Sequence, residues 1–266
     1  MMPELIRIGP FPLHSYGAMV LLGVLGGLWL LRKGCRARGF DPDIATDLTI
    51  WSVLAGVVGA RVFYVVQYWG SDEVLAASPL LGPFMIWKGG LVLFGGILGG
   101  LLCMLTLLHR HRLPTLTFLD LVAPGLAVGI AFGRIGCFLN GCCWGKVCAA
   151  SFPLGVSYPS DLQTPVGHSL AVHPTQLYSS LAAFFMAWIC WRLNVHRLPP
   201  GVTTGILGIL YGATRFTVET IRGDHDPAPG AWTVSQQISG GLLLLGVALV
   251  AHGVLRHRRR IAPAAA

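Results

Sequence analysis

Seven times along the chain, apolar residues dominate a stretch long enough to make a membrane helix: 15–31, 48–68, 90–108, 118–136, 176–193, 203–221 and 237–255. A hydrocarbon core about 30 Å thick takes roughly 20 mainly apolar residues per helix. Polar or proline-bearing segments separate the stretches, and the longest connection runs from about 137 to 175. The pattern predicts an all-α polytopic membrane protein of about seven transmembrane helices, organised as a single domain over residues 1–266.

Composition agrees. Of 266 residues, 54% are hydrophobic and 11% are charged, against roughly 25% charged in an ordinary soluble domain. A soluble enzyme of this length would lack a charged skin, so the soluble, disordered and collagen-like classes fall away. Thirty-five glycines suit membrane helices better than soluble ones. Met1 to His14 contains no basic stretch followed by an apolar core, so a cleaved signal is not expected. The net charge of +8 has no soluble surface on which to bind nucleic acid, and its distribution says more than its size.

Lysine and arginine set the orientation. Arg32, Lys33, Arg36, Arg38, Arg110, Arg112, Arg192, Arg197, Arg256, Arg258, Arg259 and Arg260 flank one side of the spans, against Arg7, Lys88, Arg134, Lys146 and Arg222 on the other. The N-terminus is therefore expected outside and the C-terminus in the cytoplasm. The tail at 256–266 reads as a polybasic anchor on anionic lipid. Trp29, Trp51, Trp69, Trp87, Trp191 and Trp232 fall near span ends, as an aromatic belt would.

Some polar residues lie in the wrong solvent. Arg61 and Arg215 fall inside spans and Arg134 at the end of one. An arginine at the bilayer centre costs at least about 2.5–3.5 kcal/mol on insertion scales, so it ordinarily faces a polar cavity or a partner. Spans two, four and six all run outward, which puts the three guanidinium groups near one depth. Tyr211, Arg215, Glu219 and Arg222 follow at helical spacing on one face, and Glu219 is placed to pair with Arg215. His14 with Tyr16, Trp87 with Lys88, His173 with Gln176 and Tyr178, and Gln236 with Gln237 open the inward-running spans at the same level. The simplest arrangement is a cation-lined chamber at the outer leaflet whose guest is a lipid phosphate. Glycines four apart, at Gly125, Gly129 and Gly133, Gly95 and Gly99, Gly96 and Gly100, and Gly208 and Gly212, are packing stripes that let backbones approach.

The same residues lie in recognisable motifs: HSYG (His14–Gly17), GARVFYV (Gly59–Val65), WKGG (Trp87–Gly90), GRIGCFLNGCCWGK (Gly133–Lys146), HPTQLY (His173–Tyr178) and YGATRFTVETIRGD (Tyr211–Asp224). In order and spacing they resemble the prolipoprotein diacylglyceryl transferases, multi-pass enzymes of the bacterial inner membrane. The resemblance implies a transferase acting on two partners, phosphatidylglycerol and the lipobox segment of a prolipoprotein, among other membrane lipids and with no cofactor. The lipobox cysteine thiol attacks the glyceryl carbon and glycerol-1-phosphate leaves. By the resemblance, Arg134 and Arg215 bind the phosphate, Glu219 positions Arg215, and Tyr16, Asn140, Gly145 and Tyr211 match further functional positions. Arg61, Arg222 and Gln176 support the substrate, and His173 joins the catalytic set.

Four positions depart from the family pattern. Phe94 stands where a histidine is usual, Cys137 replaces an asparagine, Cys142 replaces an acid, and Ser179 replaces a glutamate. The thiol's base is thereby left open: either His173 or His14 takes the proton, or nearby arginines raise the thiolate share without a strong base. Cys35, Cys103 and Cys190 read as small apolar fillers. Cys137, Cys142, Cys143 and Cys148 cluster on the outer side, where a disulfide can form, while their spacing lacks the C-x-x-C pairs of common zinc sites, so no metal is expected. Three other readings stay open: a catalytically divergent paralogue that binds anionic phospholipid, a transporter, or a membrane thiol oxidoreductase. No internal repeat favours the transporter, and no C-x-x-C favours the oxidoreductase.

Overall fold

The computed structural model describes residues 4–8, 11–78, 80–149, 151–158, 170–223 and 232–261, with the side chains of Glu4, Ile6–Ile8, 11–13, Val74, Lys88, Arg260 and Ile261 left aside. Asp224, the end of the basic tail at 262–266, and the side chains of Arg7, Lys88 and Arg260 therefore lie outside the description.

A two-stranded antiparallel hairpin, β1 (Glu4–Ile8) and β2 (Phe11–His14), precedes the helices. It is a small addition to the all-helical expectation, and Pro12 in β2 suits an edge strand. The helices are α1 (Ser15–Arg38), α2 (Pro42–Tyr68), a short α3 (Glu73–Ala77), α4 (Leu93–Arg110), α5 (Thr115–Asn140), α6 (Thr175–Val195), α7 (Val202–Thr220) and α8 (Val234–Ile261). Each of the seven apolar stretches falls on one long helix, except that 90–92 precede α4 and Ile221 follows α7. Five of these, α1, α2, α4, α5 and α8, are long and apolar enough to cross a membrane, which makes the chain a polytopic membrane protein.

Several helices overrun their apolar stretch because polar caps, and not the apolar run, stop them. After α1, Gly39 takes a left-handed conformation (φ 77°). The Phe40 amide then bonds the Cys35 carbonyl at 2.9 Å and the Gly39 amide that of Arg36 at 3.2 Å, a Schellman stop. Asp41 caps α2 by accepting from the Asp43 amide at 2.9 Å, with Pro42 in the first turn.

By internal packing the chain divides into two compact units, 35–118 and the remainder. In the first, α2 and α4 meet through small residues. A Cβ on Gly99 would stand 2.5 Å from the Ala55 carbonyl oxygen, and Gly59 and Gly95 leave each other no room for a side chain. The connection between them is clasped by Arg61. Its guanidinium donates to the carbonyls of Gly82 (2.7 Å), Pro83 (2.9 Å), Gly89 (2.7 Å) and Gly90 (2.9 Å), and its carbon stands 5.1 Å from the Tyr64 ring centre.

In the second unit, α1 packs on α5 where Gly23 and Gly27 face Gly129 and Gly125, and α7 packs on α8 where Gly205 faces Gly246 and Gly212 faces Ser239. A buried core of Ala123, Ala127, Met186, Ala187, Cys190 and Leu207 ties α5, α6 and α7 together. One end of this bundle is fixed by Asp120 of α5. Its carboxylate accepts from the amides of Gly201 (2.7 Å) and Thr204 (2.8 Å) and from the Thr204 hydroxyl (2.7 Å). It therefore caps α7 from another helix, and its negative charge sits at the positive end of the α7 dipole. Asn194 donates to the Asp120 carbonyl at 2.7 Å and accepts from Thr203 at 3.1 Å.

Candidate functional site

At the opposite end of α7 the chemistry changes. Arg215 and Glu219 are one turn apart and pair at 2.9 Å, and Arg222 stands 3.5 Å from the same carboxylate oxygen. The Glu219 side chain is only 1% exposed and that of Arg215 14%, so burial makes each charge depend on its partners. The other Glu219 oxygen accepts from the Thr233 hydroxyl at 3.0 Å, and Arg215 Nη2 donates to Ser235 at 2.9 Å. Arg215 Nη1 is buried and, among the described residues, has no hydrogen-bond partner. A buried donor left in this state costs about 1–3 kcal/mol or more when charged, a cost that an anion bound there would offset.

Thr233 and Ser235 were absent from the expected site, although a local signal for them exists. Thr233-Val-Ser-Gln236 is a capping box. The Gln236 amide donates to the Thr233 hydroxyl oxygen at 3.1 Å, and the Gln236 side chain accepts from the Thr233 amide at 3.0 Å. The box that starts α8 thus turns the Thr233 hydroxyl proton toward Glu219.

Arg134 of α5 and Tyr211 of α7 stand close enough to Arg215 to act on it electrostatically, as does Arg222. Tyr16 lies 44% exposed within the field of Arg134. A Cβ on Gly136, one turn below Asn140, would meet the Tyr16 ring at 3.0 Å. The expected grouping of Tyr16, Arg134, Tyr211, Arg215, Glu219 and Arg222 is therefore brought together within one unit.

The segment after α5 closes the site's floor. Gly145 pairs with Arg222, its amide bonds the His173 carbonyl (2.9 Å), and the Lys146 amide bonds that of Ile221 (2.8 Å). A side chain at Gly145 would lie 2.6 Å from the His173 carbonyl oxygen, so glycine is required there by contact alone. Gln176 is fully buried and donates to the Cys142 carbonyl (2.6 Å) and to the Tyr158 hydroxyl (2.9 Å), while Thr175 donates to the Cys143 carbonyl (2.6 Å). Gln176 thus supports the loop backbone. His173 meets Phe152 edge-on at 4.9 Å and the Tyr178 hydroxyl at 3.3 Å. Asn140 is the exposed last residue of α5.

The cysteines of this region are free thiols. The sulfurs of Cys137, Cys142 and Cys143 all lie within 4.8 Å of one another. The Cys143 thiol is held well below its ordinary value, first by hydrogen bonds from Cys137 and Cys142 and then by the charges of Arg222 and Arg134. Burial pushes the Tyr158 hydroxyl up.

These features define a helical, polytopic membrane protein whose C-terminal helices gather guanidinium groups around one buried carboxylate. A family model described as prolipoprotein diacylglyceryl transferase matches residues 3–252. Among curated relatives, the phosphatidylglycerol–prolipoprotein diacylglyceryl transferase 2 of Clostridium perfringens is 33% identical over 248 residues, covering 93% of each chain. The phosphatidylglycerol–prolipoprotein diacylglyceryl transferase of Pseudomonas paraeruginosa is 34% identical over 257 residues, covering 93% of this chain and 92% of its own. That of Nitratidesulfovibrio vulgaris is 33% identical over 94% of each. The chain belongs to the prolipoprotein diacylglyceryl transferase family.

Proposed function

We propose that the protein transfers a diacylglyceryl group from phosphatidylglycerol to the lipobox cysteine of a prolipoprotein at the outer face of the bacterial inner membrane. The observation that carries the reading is Arg215, a buried guanidinium with one amino group ion-paired with Glu219 and hydrogen-bonded to Ser235 and the other, among the described residues, without a hydrogen-bond partner. Such a fork, oriented on one side and open on the other, suits a phosphate oxygen. Arg134 shares the phosphate. As the glyceryl C–O bond breaks, charge grows on the departing glycerol-1-phosphate, and fixed guanidinium groups in a water-poor site stabilise it most at that moment. Glu219 and Arg222 hold Arg215 in place, Tyr16 and Tyr211 line the headgroup region with Asn140 beside them, and Gly145 and Gln176 shape the floor. Four carbonyls occupy the guanidinium of Arg61, so its part is to hold the α2–α4 connection, with at most one N–H left for a lipid. His173 serves chiefly as an anchor of the loop.

The reading takes all seven long helices across the bilayer, N-terminus outside. The α6 helix is too polar on average to qualify by hydropathy alone, yet Leu181, Phe185 and Trp188 project exposed from one face of it, as lipid-facing residues do. The decisive experiment incubates the purified protein with phosphatidylglycerol and a lipobox peptide and follows the thioether product by mass spectrometry. Turnover that requires Arg134 and Arg215 supports the reading. Absence of turnover by the unaltered protein overturns it in favour of a lipid-binding paralogue.

A further inference from the structure

The thiol cluster beside the arginines is not needed to hold a phosphate, and its construction is specific. Helix α5 ends in a second Schellman stop: Gly141 is left-handed (φ 74°), its amide bonds Phe138, and the Cys142 amide bonds the Cys137 carbonyl at 3.1 Å. In that motif the third residue from the helix end and the second residue past it pack on one another. Here those two residues are Cys137 and Cys142. Cys143 follows, itself at φ 64°, and the carbonyls of Cys142 and Cys143 are pinned by the buried side chains of Gln176 and Thr175. The three sulfurs are therefore held by a capped helix end and two long-range hydrogen bonds.

We propose that Cys137, Cys142 and Cys143 bind one zinc ion through their three thiolates and leave its fourth position for the thiol of the acceptor peptide. The inference rests on the transfer reading above. Three sulfurs at about 2.3 Å from a tetrahedral zinc stand roughly 3.8 Å apart, so sulfurs already within 4.8 Å need only small side-chain rotations to close on it. An all-sulfur set selects a soft ion, and three protein ligands with one open position are the mark of a catalytic zinc. Zinc with three thiolates carries a net negative charge, which Arg134, one turn before Cys137 on α5, and Arg222, whose backbone pairs with Gly145 two residues past Cys143, are placed to balance. Cys137 lies one turn beyond Arg134 on α5, so the bound peptide sulfur would sit beside the grip on the phosphate. Glu219 is held by two arginines and Thr233, and one ring nitrogen of His173 meets the Tyr178 hydroxyl. In the step itself, the peptide thiol gives its proton to solvent on entering the fourth position. Its sulfur then forms the C–S bond to the glyceryl carbon, and the C–O bond breaks with its electron pair leaving on glycerol-1-phosphate. The zinc keeps its oxidation state throughout.

The test uses the full chain in detergent with a phosphine reductant, stripped by chelator and reloaded with zinc sulfate or cobalt(II) chloride. Elemental analysis is expected to find about one zinc per chain, falling at least about tenfold in Cys137→Ser, Cys142→Ser and Cys143→Ser. Cys148→Ser, outside the cluster, keeps its zinc and controls for general thiol binding, and elution volume and helicity identify any variant that fails to fold. With cobalt bound, thiolate-to-metal absorption appears and changes on adding a lipobox peptide, but not one with serine for cysteine. Reloading with zinc is expected to raise transfer about a hundredfold over the stripped protein, in the range of a positioned acid–base group. Zinc binding no stronger than in Cys143→Ser, a cobalt spectrum indifferent to the peptide thiol, a disulfide in place of the metal, or equal transfer by stripped and loaded protein each overturns the proposal. The last leaves lipid transfer standing. A peptide-dependent cobalt spectrum without transfer from phosphatidylglycerol would instead support the metal site and sink the transfer reading.

Discussion

The two ends of α7 solve the problem of buried polarity in opposite ways. At its start, both Asp120 carboxylate oxygens are filled by two amides and a hydroxyl, and Asn194 and Thr203 complete the set. At its finish, a carboxylate that is also buried is shared by two arginines, and one arginine keeps a buried amino group without a hydrogen-bond partner among the described residues. The first arrangement is closed and contributes to folding. The second, in the reading proposed above, is completed by an anion, so that its cost in the free protein is recovered on binding.

The sharpest way to break this contrast is Arg215→Ala. Transfer is expected to fall about 10²–10³-fold, the loss typical of removing one donor to a developing oxyanion. Arg215→Lys should recover little of it, because a point ammonium cannot contact Ser235, Glu219 and a phosphate in one plane. Assays of thioether formation at saturating lipid check both.

Asp120→Ala tests the other end. It strands the α7 amides, and the expected cost is about 2–3 kcal/mol of stability, read as a lowered thermal midpoint in detergent. Activity per folded molecule should be unchanged. A variant that folds normally but is inactive would erase the distinction between the two ends.

Glu219→Gln keeps the shape and removes the charge that holds Arg215. Transfer is expected to drop roughly ten- to a hundredfold, in kcat more than in KM, since positioning matters most in the transition state. The smallest effect belongs to Thr233→Val. It loses a helix cap worth about 1 kcal/mol and one bond to Glu219, so a modest fall in stability should accompany a severalfold fall in transfer.

The chain announces its own architecture because crossing a bilayer demands long apolar runs: the seven runs fall on long helices, five of them apolar enough to cross. Their ends were less legible. An apolar run measures the thickness of lipid, whereas α1 stops at Gly39 and α2 starts at Asp41 through hydrogen bonds that hydropathy does not register. The line of Tyr211, Arg215, Glu219 and Arg222 could be read directly because i, i+4 spacing on a helix is geometry. Arg61 looked equivalent to the other arginines by depth, but its partners are carbonyls 21 to 29 residues away, which spacing cannot reveal. Asp120 raised no signal since its cap is given to a helix about 80 residues on. The clustering of Cys137, Cys142 and Cys143 was legible from their nearness in sequence, but the way they meet was not. They meet through a helix C-cap, and the glycine between Asn140 and Cys142 was the clue to it.

The central claim concerns the hold on a lipid phosphate, and binding tests it without chemistry. The protein is purified from mixed phosphatidylglycerol and phosphatidylcholine, and the lipid it retains is weighed by native mass spectrometry. The unaltered chain should keep phosphatidylglycerol in clear preference, and the Arg134→Ala/Arg215→Ala double variant should lose that preference while staying folded. Equal retention of phosphatidylglycerol by both proteins would contradict the account.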